Sequence, residues 1–329
     1  MVAGLKIFTT NYHISVNRTL VDDLVAVGLD VIMPSRSFAS KAPIKFFAPN
    51  DEHRGKAEIV DLDQYLKLPP MLMLIPCTQL VEDMLRLWER RGKVDTLVLL
   101  TANSDHHAAW RTVPTQFVMS HDLSYHREFK GLKILYFSRP TILRAKKTGP
   151  ELARSYEEHK IKLYINNLEK EREHFNGLKP EYDAAIEMRE LWLERTGWRM
   201  PIYGYGNKDG WPSMVDTQGH LVDSMFSFVS KRRETWGQLI NESMQLGTPC
   251  MFLRSLLNST FTEYLINDDT AILGDTVQEL VDKALGLDWI GYQNLVNEAY
   301  AQSMMFCDEG NRRMKLGWLL EKAAAAVGT

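Results

Sequence analysis

The chain has 329 residues, 45% of them hydrophobic and 25% charged, with a formal net charge of −3. This length favours two domains with substantial cores, and the slight acidic balance argues against a surface that binds nucleic acid or anionic membrane everywhere. Cys77, Cys250 and Cys307 lie far apart among apolar neighbours, which indicates reduced thiols in a cytoplasmic protein and offers no zinc-ligand spacing. The sequence also shows no signal peptide and no apolar run long enough to span a membrane.

Strand-like and helix-like segments alternate in the first half of the chain. We predict strands over residues 5–10, 29–33, 71–76, 96–101, 115–119 and 133–137. We predict helices over residues 17–28, 78–92 and 104–111. Strand–helix–strand order of this kind indicates a parallel sheet covered by helices.

The middle of the chain, residues 150–195, is dense in Glu, Lys and Arg. Apolar residues at helical spacing (Ile161, Tyr164, Ile165 and Leu168) favour one or two long exposed helices, separated near residues 177–180. The predicted organisation is an amino-terminal domain over 1–149, a helical connector over 150–180 and a second domain over 181–310. A carboxyl-terminal helix over 311–329 is expected to pack back toward the first domain.

A second alternation follows, with strands predicted over 201–205, 225–229 and 250–253 and helices over 235–246, 259–266 and 276–285. Glu234 lies in the loop after the second of these strands, and Glu242 lies in the helix that follows. Parallel sheets bind ligands at the carboxyl ends of their strands. Two carboxylates separated by about 12 Å of helix could hold hydroxyls at two points of an extended polyol.

The spacing of these glutamates resembles that of a known group of enzymes. Seven residues separate Glu234 from Glu242, Gly237 lies between them, and Gly247-Thr-Pro249 ends the helix. This pattern resembles the donor half of retaining glycosyltransferases of the GT-B fold, and the similarity covers residues 204–286. The resemblance implies an α/β fold of two Rossmann-like domains that face a cleft, the first on the acceptor side and the second binding a nucleotide-sugar.

The resemblance also implies an activity. A hexose would move from a nucleoside-diphosphate sugar to a hydroxyl acceptor with retention of anomeric configuration. The favoured donor is a UDP-sugar such as UDP-glucose. The sugar nucleotide would be a co-substrate, and neither a cofactor nor a divalent metal is predicted.

Individual donor-site roles follow from the resemblance. Glu234 would contact the donor sugar and Glu242 the ribose, while backbone amides at the start of the helix would face a phosphate. The residues predicted to bind the donor in addition to Glu234 are Gly206, Trp236, Gly237, Gln238, Glu242, Arg139, Arg144 and Lys147. Arg139, Arg144 and Lys147 are candidates for neutralising the charge of the departing diphosphate. For each of them, a place on a solvated basic face is an equal alternative. The Gly204-Tyr205-Gly206 pattern is as often simply a turn.

Several histidines are candidates for the acceptor side. His121 and Asp122 follow a predicted strand, and with Glu234 they form the predicted catalytic set, in which Asp122 would orient His121 or help to accept a proton. The alternative is a histidine that caps a loop. His13, His106 and His107 are further acceptor-side candidates, and the adjacent pair has no third partner at metal-ligand spacing.

Competing motifs are weaker. Asp61-Leu-Asp63 has the Asp-x-Asp form that holds a divalent ion in glycosyltransferases of the GT-A fold, but we predict a helix cap or loop there. A Gly-x-Gly-x-x-Gly after the first strand and a Walker-type phosphate loop are both absent from the sequence, which disfavours a dehydrogenase or a P-loop enzyme.

The acceptor and the partners stay open at this level. Basic stretches over 127–147 and 231–233 could line a groove for a polyanion. A compact chain of this size with GT-B features and such stretches is similar in outline to phage enzymes that glycosylate hydroxymethylated pyrimidines in DNA, so DNA is one candidate acceptor beside cell-surface glycans and small metabolites. The alternative class is a non-catalytic interaction protein that keeps a nucleotide-sugar fold. The sequence leaves the oligomeric state undetermined.

Overall fold

The computed structural model describes residues 4–10, 14–35, 56–76, 80–101, 112–120, 130–136, 142–165, 168, 179–230, 238–257 and 265–327. The chain divides into two compact units, Met1–Thr141 with Cys307–Thr329, and Ile142–Phe306. Within the described residues, every helix is too short or too polar to cross a membrane.

The first unit is built on a parallel sheet of seven strands in the order β3-β2-β1-β4-β5-β6-β7. Its strands are β1 (Lys6–Phe8), β2 (Asp30–Pro34), β3 (Ala57–Val60), β4 (Leu72–Ile75), β5 (Thr96–Thr101), β6 (Phe117–Ser120) and β7 (Leu132–Leu135). Its helices before the second unit are α1 (Ile14–Ala26), α2 (Leu62–Lys67) and α3 (Val81–Arg90). Adjacent residues of a strand point to opposite faces, so Ile7 belongs to the core under α1 and Phe8 to the core under α2 and α3.

The second unit contains a parallel sheet of five strands in the order β12-β11-β10-β8-β9. Its strands are β8 (Ile161–Tyr164), β9 (Ile202–Tyr203), β10 (Phe226–Val229), β11 (Cys250–Leu253) and β12 (Ala271–Gly274). Its helices are α4 (Gly149–Glu158), α5 (Lys179–Thr196), α6 (Met214–Val222), α7 (Gln238–Gln245), α8 (Val277–Leu285) and α9 (Trp289–Phe306), with a 3-10 turn at Arg254–Leu256. The larger core packs Trp192, Phe226, Phe228 and Tyr292 on one face of this sheet.

The last helix, α10 (Glu309–Val327), belongs to the first unit. Its apolar face, with Leu316, Leu319 and Leu320, is buried in the same core as Ile7. The fully enclosed carboxylate of Asp23 in α1 accepts hydrogen bonds from Arg312 Nε at 2.9 Å and from the Tyr136 hydroxyl at 2.9 Å. This charged cluster joins α1, α10 and the residue that follows β7.

Most of the predicted strands are confirmed, but the middle of the chain differs. Residues 161–165 form strand β8 and its exit instead of the exposed helix that their spacing predicts, so that prediction is wrong. Ile161 and Leu163 face the larger core, while Lys162 and Tyr164 face the other side of the sheet. The second unit begins at Ile142 and ends at Phe306, so β8 lies inside this unit, where the sequence predicts a connector.

Two elements of the first unit, β3 and α2, are not among the predicted ones. Asp61 caps α2, because its Oδ1 accepts a hydrogen bond from Gln64 N at 2.7 Å while the Gln64 side chain accepts one from Asp61 N at 2.9 Å. The prediction of a helix cap at the Asp-x-Asp motif is therefore confirmed. This reciprocal pairing is a capping box, which fixes the start of a helix.

Replacing Asp23 with Ala leaves Arg312 and Tyr136 without their buried acceptor. We expect the free energy of unfolding to fall by about 3–5 kcal/mol, because removal of one partner strands a buried charge. Urea unfolding measures the change. Asp22→Ala is the matched control, since Asp22 pairs with Lys56 at the surface and such a pair contributes at most about 1 kcal/mol. Equal losses in the two variants would contradict the assignment.

Candidate functional site at the carboxyl edge of the second sheet

The second sheet has a point where its chain order reverses. From β8 the chain passes to β9 on one side, and then to β10 on the other side. The connections of such neighbouring strands leave in opposite directions, which opens a crevice outside their carboxyl ends, where parallel α/β proteins bind ligands. The residues at this edge that the structure describes include Ile165 after β8, Gly204 after β9 and Ser230 after β10.

Glu242 is a buried ionisable group close to this edge. It lies in the second turn of α7 with only 7% of its surface exposed, and burial raises the pKa of its carboxyl to about 8. Within the part of the chain that the structure describes, no hydrogen-bond donor contacts this carboxyl. A buried acid without partners is costly to the fold, and groups of this kind concentrate at functional sites.

Neighbouring contacts fix the direction in which Glu242 points. Asn241 accepts a hydrogen bond from the Ser303 hydroxyl of α9, and the Ser243 hydroxyl donates to Thr248 O at 2.7 Å. Glu242 lies within electrostatic reach of Tyr164 at the end of β8, because burial, then Tyr203 and then Glu242 raise the pKa of the Tyr164 hydroxyl. These contacts hold helix α7 so that Glu242 lies on the side of the sheet that Lys162 and Tyr164 of β8 face.

Two serine hydroxyls of β10 and its exit are also buried. Ser227 and Ser230 are fully enclosed, and among the described residues their hydroxyls have no hydrogen-bond partner. Buried hydroxyls are normally satisfied. Ser230 directly follows the strand, so it adds an unsatisfied polar group to the same edge as Glu242.

A tightly folded loop follows β9. Gly204 N donates to Gly210 O at 2.8 Å, and the Asn207 side-chain amide donates to Ile165 O at 2.5 Å, which joins this loop to the end of β8. Gly206 has a φ of +82°, in the left-handed region that favours glycine. The turn interpretation of Gly204-Tyr205-Gly206 accounts for this residue, and its contact with a donor stays a prediction.

Two of the three basic candidates, Lys147 and Arg144, are described, and their side chains bind partners within the second unit. Lys147 is buried, and its Nζ donates to Ser224 O, directly before β10, and to the Ser155 hydroxyl at 3.4 Å. These contacts hold Lys147 at the amino edge of the sheet, and its contact with the donor diphosphate stays a prediction. Arg144 pairs with Glu151 of α4 at 3.6 Å, so the site that we build from the described residues includes neither cation.

The remaining predicted residues stay untested. Gln238 begins α7. The candidates that lie outside the described residues are His13, His106, His107, His121, Asp122, Arg139, Glu234, Trp236 and Gly237. The described residues contain no group of three His, Cys, Asp or Glu side chains that could hold a metal ion.

Sequence reasoning missed Tyr164 and Ser230 as members of this site. Tyr164 was assigned to a helix, although residues 161–165 alternate apolar and polar side chains, the signal of a half-buried strand. Ser230 follows a run of buried residues and has no sequence signal of its own.

Comparison with known proteins places the fold. No family model and no curated protein matches the sequence. Among solved structures, sucrose-phosphate synthase from Thermosynechococcus elongatus is similar with a TM-score of 0.60 at 11% identity, over 98% of this chain and 99% of that one. The catalytic domain of starch synthase IV from Arabidopsis thaliana, bound to ADP and acarbose, gives a TM-score of 0.60 at 9% identity over the same shares.

A third structure is S. aureus TarM in a complex that contains UDP, with a TM-score of 0.59 at 13% identity. The match covers 78% of this chain but only 58% of TarM. At such identities the similarity establishes architecture alone. The chain has the GT-B fold, with two parallel-sheet α/β domains and a helical carboxyl-terminal segment, as the sequence predicts.

Glu242→Gln should change how stability depends on pH. The carboxyl has an ordinary pKa of 4.5 and a raised one of about 8 in the folded chain, so the folded state holds this proton more firmly than the unfolded state. The wild type therefore loses stability between about pH 4.5 and pH 8, whereas a neutral amide does not. We expect the variant to match the wild type near pH 4.5 and to exceed it by a few kcal/mol above pH 8.

Urea unfolding at pH 5 and pH 9 measures this difference. Glu298→Gln, an exposed position on the adjacent helix α9, is the matched control and should give the same small effect at both pH values. A Glu242→Gln protein that is less stable than wild type at pH 9 would mean that the carboxylate has a stabilising partner.

Proposed function

We propose that this chain is a glycosyltransferase that moves a sugar, a hexose by preference, from a nucleoside-diphosphate sugar to a hydroxyl acceptor. The observation that carries the proposal is the buried carboxyl of Glu242, which has no hydrogen-bond donor among the described residues and lies where the chain order of the second sheet reverses. The fold supports it, since the similar starch synthase IV and TarM structures contain ADP and UDP. A UDP-sugar is the favoured donor.

The donor site works through hydroxyl recognition in this proposal. The two hydroxyls of a ribose would donate to the Glu242 carboxylate, and each such bond to a charged acceptor favours the ionised form. Binding would therefore release the proton that the buried acid holds below about pH 8. The diphosphate would lie at the amino end of α7, where unpaired backbone N–H groups and the helix dipole attract anions.

The chemistry at the anomeric carbon involves residues outside the described part of the chain. In the proposal, Glu234 contacts the donor sugar, Arg139 helps to neutralise the departing diphosphate, and His121 with Asp122 faces the acceptor. Anomeric configuration is retained, as the spacing of the glutamate pair implies by resemblance. No resident cofactor or metal ion is required.

A binding and turnover screen tests the proposal. Native mass spectrometry with a panel of UDP-, ADP- and GDP-sugars identifies the donor, and slow release of nucleoside diphosphate without acceptor reports catalysis. A protein that binds none of these donors and releases no diphosphate would instead be a non-catalytic interaction protein.

Glu242→Gln should weaken binding of the preferred sugar nucleotide. The amide removes the charge that strengthens hydrogen bonds from ribose, a loss of about 1.5–3 kcal/mol, or roughly 10–100-fold in Kd. Isothermal titration calorimetry at pH 8 measures the affinity. Glu298→Gln is again the control and should bind as the wild type does. An unchanged Kd in the Glu242 variant would contradict the assigned role.

A hydroxymethylated base in DNA stays a hypothesis for the acceptor. It rests on the basic stretch over 127–147, of which Lys147 is buried and Lys146 lies over the Tyr300 ring at 4.3 Å. Phosphate contacts make binding to DNA depend on salt. Duplex DNA should therefore bind at 50 mM salt and dissociate at 200 mM, and the absence of any salt-sensitive binding would remove this acceptor.

A further inference from the structure

The loop after β9 presents two large aromatic side chains to solvent. Tyr205 is 56% exposed and Trp211 is 74% exposed. Their rings meet edge to face, with centroids 6.0 Å apart and an interplanar angle of 80°. A tryptophan is normally among the more buried residues, so exposure of this pair indicates a surface that contacts something other than the protein's own core.

The loop that holds the two rings is tied by several hydrogen bonds. Gly210 N donates to Asn207 O at 3.2 Å, and Asn207 N donates to Gly204 O at 3.2 Å. The Asp209 carboxylate accepts from Ile202 N at 2.8 Å and from Arg199 Nη1 at 3.0 Å. A ligand that meets rings already held in place loses less conformational entropy on binding.

The aromatic pair lies at the same edge of the sheet as Glu242. Tyr203, the last residue of β9, stacks on Tyr164 of β8 with ring centroids 5.3 Å apart, and Tyr164 is within electrostatic reach of Glu242. Neighbouring strands are about 4.8 Å apart, and Tyr205 follows Tyr203 by two residues. Tyr205 therefore lies about one strand spacing further out than the place proposed for the ribose, and the Trp211 ring lies against it.

We propose that Tyr205 and Trp211 form the stacking surface for the nucleobase of the donor. This inference rests on the proposed function, in which Glu242 holds the ribose. A base attached to that ribose needs a flat apolar partner beside Glu242. Stacking of one base on an aromatic side chain contributes about 1–3 kcal/mol and tolerates different bases, so the surface selects for a nucleotide over a free sugar phosphate.

Calorimetric titration of the full chain with UDP, ADP and ribose 5-phosphate tests the inference. Trp211→Ala should weaken binding of UDP and ADP by about tenfold, and Tyr205→Ala should weaken it less, while ribose 5-phosphate should bind equally to all variants. Trp211→Phe keeps a flat ring and should restore most of the affinity. Trp318→Ala, which removes a 46% exposed tryptophan from α10, is the matched control and should leave every affinity unchanged.

The outcomes separate this inference from the proposed function. If wild type and Trp211→Ala bind UDP and ADP equally, the stacking role is wrong and the donor site stands. If Trp211→Ala loses affinity for ribose 5-phosphate as strongly as for UDP, the ring acts on the sugar and the nucleobase role is also wrong. If the wild type binds neither nucleotide while it remains folded, both the stacking surface and the donor site are wrong.

Discussion

The parallel pairing of β8 with β10 is the constraint on which the second unit depends. Phe226 pairs with Ile161 and Phe228 with Leu163, so two strands that are not consecutive in the chain lie side by side. One connection then leaves toward β9 and the other toward α7. The crevice between them is a consequence of this topology, and it brings Glu242 close to Tyr164 although the two residues are far apart in sequence.

The buried charged groups of the second unit differ in whether the fold supplies a hydrogen-bond partner. Lys162 is buried, but its Nζ donates to His220 O at 2.9 Å at the end of α6, and Lys147 has a comparable carbonyl partner in Ser224. Both lysines are satisfied by the fold. Glu242 has no such donor among the described residues, and burial raises its pKa to about 8, which sets it apart from the two lysines.

The contrast also shows what the basic stretch over 127–147 leaves open. A run of lysines and arginines specifies charge but not the direction of each side chain, and Lys147 donates to the Ser224 carbonyl and the Ser155 hydroxyl at the amino edge. In the same way, Lys162 made β8 resemble a solvated helix, because a charged residue inside a buried strand is uncommon. Local composition cannot distinguish a cation that stabilises the fold from one that binds a ligand.

Local patterns predict the two parallel-sheet halves and the strands near residues 72, 96, 226 and 250, because these depend on hydrophobic period and turn chemistry. Glu242 is predicted from the spacing of two glutamates, and Asp61 is predicted as a helix cap or a loop residue. Strand pairing and packing establish that β8 is a central strand, that Lys147 lies at the opposite edge, and that Tyr164, Ser230 and the loop carrying Trp211 share an edge with Glu242. These facts follow from pairing between distant segments, which no local pattern records.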